Sequence, residues 1–169
     1  MKRKWRVAST IIVVVDLSLV AWGAMAWLLP QHLPGPNSAP ILTAGYEGFT
    51  GLSWQELADE SPKAAGYMTV LFRTYGAYCA TVGLLGVAIA ATAFRQRQRW
   101  AWWALLIGNT IALGSAMRYD WLVHAIGPFE LTEYLGLALV WCALAVTAPF
   151  GRTERRITNR EPISQGVFR

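Results

Sequence analysis

Residues 63–94 read KAAGYMTVLFRTYGAYCATVGLLGVAIAATAF. Beyond Arg73, about twenty consecutive residues carry no charge. At about 1.5 Å of rise per residue, a helix of that length crosses a hydrocarbon core. The segment opens after Ser61 and Pro62 and stops at Arg95, Arg97 and Arg99. An arginine is costly against lipid, so Arg73 is expected to face protein or water.

Composition points the same way. The chain has 169 residues, of which 54% are hydrophobic and only 15% charged. A soluble domain carries nearer a quarter charged residues. Nine tryptophans suit a chain that meets both lipid and water. The formal charge of +5 does not argue for nucleic acid, because the basic residues flank apolar segments and do not gather on one soluble face.

Working outward, residues 1–6 form a basic head, MKRKWR, before an apolar run over residues 7–29. That run is long enough to span with some tilt. A signal peptide is the competing reading, since Ala24-Met25-Ala26 mimics a cleavage site. The run exceeds a usual signal core and contains Asp16, which favours an anchored helix. Pro30 ends it, because the proline ring cannot continue helical bonding. Residues 30–62 form a loop rich in Pro and Gly, with residues 41–51 expected to fold back on the bilayer surface. Ser53-Trp54-Gln55-Glu56 is a capping box and predicts a short amphipathic helix to Glu60. Ser61 is expected to cap the next helix, with Pro62 in its first turn.

Small residues at Gly76, Ala80, Gly83, Gly86 and Ala90 recur near helical spacing on the second apolar segment. Such residues let helix backbones approach closely in lipid, where apolar burial gives little drive. Trp100, Trp102 and Trp103 are expected to anchor a third segment, residues 100–118. A fourth covers residues 129–150, with Glu130 in its first turn, where a carboxylate complements the helix dipole. Residues 151–169 are a basic tail. The expected fold is therefore all-α: one domain over residues 1–150, an integral membrane four-helix bundle with a short extracytoplasmic helix before its second span.

Charge sets the expected orientation. Four Lys or Arg lie in the head, three in the turn after Phe94 and five in the tail. Lys63, Arg73 and Arg118 alone fall at the other end, together with Glu47, Glu56, Asp59, Glu60, Asp120, Glu130 and Glu133. Basic flanks stay cytoplasmic, so both termini are expected inside a bacterial inner membrane and the number of spans even.

Two polar groups stand out. Asp16 lies near the middle of the first span, with Asn109 and Thr110 at similar depth in the third. A carboxyl there should be paired, hydrated or protonated. The bland reading is an interhelical hydrogen bond from Asp16 to Asn109, Thr110 or backbone; the sharper one is a proton- or ion-carrying site. The second group, Arg73, Arg118, Asp120, His124, Glu130 and Glu133, falls near the outer interface. Arg73 with Glu133 would make an ion pair in a dry setting. The group is either a structural network or a vestibule for an anionic or polar small molecule.

No metal-ligand spacing, nucleophile motif or nucleotide-binding motif is present, and no catalytic residue, metal or cofactor is expected. Cys79 and Cys142 lack CxxC spacing and read as two small buried hydrophobes. Residues Gly51-Leu52-Ser53-Trp54 with Glu56-Leu57, then Pro62, Arg73-x-x-Gly76 and Gly83, then Arg95 with Trp100-Ala101-Trp102 carry a family resemblance. Over residues 48–105 the chain resembles the uncharacterised bacterial four-helix membrane proteins of DoxX-like shape. The resemblance implies a topology and no activity. The expected function is that of a small non-catalytic membrane protein, an accessory subunit or a bundle binding a lipid or small molecule at its outer end. The expected partners are membrane lipids, a second copy of the chain or a larger membrane complex. A proton-coupled carrier or channel-like oligomer using Asp16 is the alternative, and an enzyme at the outer interface a more distant one.

Overall fold

The stripe of small residues on the second apolar segment decides how the chain packs. In a computed structural model, which describes residues 2–33, 40–124 and 131–148, that segment is helix α4, Pro62–Ile89, continued by a π-helical turn, Ala90–Phe94. It packs most extensively on α1, Lys2–Leu28. A Cβ on Gly83 would stand 2.7 Å from the Asp16 carbonyl oxygen and 2.8 Å from a Val20 methyl. One on Gly76 would stand 2.7 Å from the Ala26 Cβ and 2.8 Å from the Gly23 carbonyl oxygen. Rising numbers on α1 thus meet falling numbers on α4, and the two helices run antiparallel at backbone contact. Ser9 fixes the far end of this seam, donating to the Ala90 carbonyl at 2.8 Å, at the start of the π turn.

Two further long helices complete the bundle, α5 (Arg99–Leu122) and α6 (Leu131–Val146). The main core lies between these four, around Ile12, Phe94, Leu105, Val140 and Leu144. Trp102 is buried in it, and its indole donates to the Leu144 carbonyl at 2.9 Å. Of the three tryptophans expected at the membrane interface, Trp100 and Trp103 stay exposed, whereas Trp102 joins α5 to α6.

Every regular secondary-structure element among the described residues is a helix. Two helices, Arg3–Leu28 and Pro62–Phe94, are long and apolar enough to cross a membrane. Leu131–Val146 is a shorter apolar helix, and the outer ends of the expected fourth span, with Glu130 and the tail, lie outside the described residues.

Residues 41–50 depart from the expected surface loop. They form α2, Ile41–Thr50, which packs on the end of the bundle with Ile41, Leu42 and Gly45 buried. Close approach explains its glycines: a Cβ on Gly45 would run into the Tyr119 hydroxyl, and one on Gly48 into the Val123 carbonyl oxygen. Gly51 ends α2 at φ 70°, donating its N–H to the Glu47 carbonyl at 2.8 Å, a left-handed cap that glycine adopts without a Cβ penalty.

The capping box starts α3, Trp54–Glu60. The Gln55 N–H donates to Ser53 Oγ at 3.2 Å and the Ser53 N–H to Glu56 Oε2 at 3.3 Å. Glu47 adds an acceptor for the Trp54 N–H at 3.1 Å. Ser61 differs from expectation, for its side chain makes no capping bond to α4; Pro62, which lacks an N–H, opens that helix. Because α3 buries none of its residues, Ser53→Ala should cost about 1 kcal/mol locally. Hydrogen exchange at the Gln55 and Glu56 amides should accelerate about fivefold. Unchanged exchange would show that the cap does not hold α3.

Candidate functional site: an aromatic cavity at the acidic end

The roof formed by α2 covers a cavity of about 280 Å³. Trp22 of α1, Met68, Phe72 and Tyr75 of α4, Tyr119 and Asp120 of α5, and Glu133 of α6 line it, beneath Ile41 and Leu42 of α2. Helix periodicity selects these residues. Met68, Phe72 and Tyr75 recur at intervals of four and three, so they share one face of α4. The aromatic rings also touch: Trp22 meets Tyr75 edge-on at 5.7 Å between centroids and Phe72 at 6.2 Å.

A second cavity of about 410 Å³ is lined by Val15, Leu19 and Met25 of α1 with Leu113, Thr132 and Gly136. Trp22 and Glu133 line both. The indole N–H of Trp22 is buried and has no hydrogen-bond acceptor among the described residues. A buried donor of this kind carries a desolvation cost that an incoming acceptor would relieve.

The expected outer cluster divides. Asp120 is buried and Glu133 half-buried, and both reach the first cavity. Arg73 and Arg118 are exposed and line neither cavity. His124 is exposed at the end of α5, in a left-handed conformation at φ 52°. Glu130 lies outside the described residues.

The group expected at mid-membrane depth divides too. Asp16 is 1% exposed, with its carboxyl directly against the Gly86 backbone and Asn109 as its polar neighbour. Thr110 is engaged elsewhere, accepting from the Trp141 indole of α6 at 2.9 Å. Asp16 lines neither cavity. Both cysteines are free, and Cys142 is exposed on α6 where a buried position was expected.

Sequence reasoning missed the aromatic half of the site and α2 as its roof. The four- and three-residue spacing of Met68, Phe72 and Tyr75 was a usable signal. The contribution of Trp22 was not, because it depends on how α1 turns against α4. Compared with known proteins, the chain matches no family model, no curated protein and no solved structure. Among the described residues no group of three His, Cys, Asp or Glu is placed to hold a metal ion.

Proposed function

We propose that this chain is a four-span membrane protein of DoxX-like topology, with both termini in the cytoplasm of a bacterial cell. In this reading it binds a small amphiphile in the cavity at its outer end. The outward faces of α5 and α6 support four spans: Ile107, Ile111, Leu135 and Trp141 are all exposed apolar residues. Large contiguous apolar surface on a folded chain calls for lipid or a partner to cover it. The concentration of Lys and Arg at the opposite end supports the orientation.

One observation carries the binding reading. Two carboxyl side chains, Asp120 and Glu133, line a cavity whose other walls are aromatic and aliphatic apart from Ser115. Apolar walls with a few convergent polar groups are the usual make-up of a small-molecule site. The polar groups set the ligand's chemistry. Asp120 and Glu133 accept hydrogen bonds, so the ligand's head carries N–H or O–H donors, as in an amine or an alcohol. Of the anionic or polar ligands expected from the sequence, a polar one bearing donors suits best a cavity lined by two carboxyl side chains and, among the described residues, by no Lys, Arg or His. A binding role without turnover is the reading, and the burial of Asp16 against Gly86 favours it over a proton path through that residue.

The test is extraction and mass spectrometry of what accompanies the full chain through purification in mild detergent. Wild type should carry an amphiphile with an amine or hydroxyl head. Ala116, which lines the cavity, offers a plug. Ala116→Phe should lower ligand occupancy about tenfold while leaving the helix content unchanged. A wild-type protein that carries nothing, with the same thermal unfolding as the plugged variant, would end this reading.

A further inference from the structure

The basic end of the bundle holds a second concave site, independent of the acidic-end cavity. Arg6 of α1 and Arg95 and Arg97 of the turn before α5 surround a cleft of about 330 Å³, with Trp5 as its apolar wall. The three guanidinium groups come from two distant parts of the chain, and the fold brings them together. The turn is held firmly. Backbone bonds run from the Arg97 N–H to the Phe94 carbonyl at 2.9 Å and from the Gln98 N–H to the Ala93 carbonyl at 3.0 Å. Arg97 adopts a left-handed conformation at φ 62°, which a side chain with a Cβ rarely takes. Its guanidinium carbon lies 5.9 Å from the Trp5 ring centroid, and Trp5 packs on Phe94 at 5.1 Å.

No carboxylate lines this cleft among the described residues. Three cations gathered with no carboxylate among the described residues lining the cleft repel one another, and a bound anion would balance them. Planar guanidinium forks match phosphate oxygens two at a time, which a single ammonium does not. We propose that the cleft binds an anionic phosphate group, carried by a phospholipid headgroup or by a phosphate-bearing solute. The apolar Trp5 wall and the long apolar helix that α1 forms from Arg3 to Leu28 favour the lipid. A basic pocket between helices at the cytoplasmic side of a membrane is a known form of headgroup site.

Thermal unfolding of the full chain in neutral detergent tests this, with added short-chain phosphatidylglycerol, phosphatidylcholine or inorganic phosphate. Phosphatidylglycerol should stabilise the protein with an affinity about tenfold tighter than phosphatidylcholine. Arg97→Gly is the informative variant. Glycine takes φ 62° without penalty, so the variant should fold at least as well as wild type. It should nevertheless lose about tenfold in affinity for phosphatidylglycerol. Arg99→Gln removes the same charge from a residue that does not line the cleft, and should leave that affinity unchanged. If inorganic phosphate displaces the lipid, the site reads the phosphate group from either source; if it does not, the lipid is its ligand. Equal affinity for the two lipids, or equal losses in Arg97→Gly and Arg99→Gln, would overturn the proposal. None of these outcomes bears on the amphiphile in the other cavity.

Discussion

Gly83→Val should destabilise the folded bundle by about 3 kcal/mol, the upper part of the range for forcing atoms into a closed contact. The new Cβ alone would stand 2.7 Å from the Asp16 carbonyl oxygen and 3.0 Å from the Val20 amide nitrogen. Both are backbone atoms of α1, so relief requires the whole helix to move away. Separation of α1 from α4 would also break the Ser9–Ala90 bond and uncover Asp16, because one seam holds all three. In lipid, where apolar burial gives little drive, close backbone contact is a large part of what holds helices together. Gly66 supplies the control. It lies on α4 with nothing within 4 Å of a Cβ, so Gly66→Ala should be neutral or stabilising by up to about 1 kcal/mol. Unfolding in mixed micelles, followed by tryptophan fluorescence, measures both. A Gly83→Val protein within about 0.5 kcal/mol of wild type would show that the helices do not touch there.

Asp16→Lys should be as damaging, while Asp16→Asn should be harmless or better. A lysine at the centre of a membrane helix costs about 2.5–3.5 kcal/mol on insertion scales. Here its longer chain would also meet the Gly86 backbone, which already abuts the carboxyl. Asparagine has the same shape, and it brings hydrogen-bond donors to a place short of them. Asp16 Oδ2 and Asn109 Oδ1 are both buried without a partner, although the Asn109 amide, which donates to the Leu105 carbonyl at 3.1 Å, also makes a side-chain hydrogen bond with Asp16. An N–H at position 16 could serve Asn109 Oδ1 and contribute about 1 kcal/mol. The same micelle unfolding assay reads both variants. If Asp16→Asn loses as much stability as Asp16→Lys, the carboxylate charge itself holds the bundle and the account of a donor-poor site is wrong.

These two residues also mark where the sequence stops being informative. Asp16 as a polar group needing a neighbour was legible, because an isolated carboxyl in a long apolar run has few other options. Asn109 as that neighbour could be guessed from depth, yet depth alone gave Thr110 equal standing, and Thr110 accepts from Trp141. The same limit applies at the acidic end. Arg118 and Asp120 are two residues apart, and helical geometry turns one to solvent and the other into the core. Their spacing shows that they diverge, but it does not show which one the bundle buries.

What the sequence determined by itself is set by one-dimensional properties. Apolar length gave the long helices, proline and arginine their ends, and Ser53 with Glu56 the start of α3. Each rests on residues close along the chain, where the physics is local. What the tertiary structure decided rests on rotation and contact between helices. It chose which face of α4 meets α1 and turned Trp22 and Glu133 towards the same pair of cavities. It folded α2 over the bundle's end and brought Arg6 beside Arg95 and Arg97. Those contacts join residues tens of positions apart, and close packing of whole surfaces fixes them rather than any local pattern.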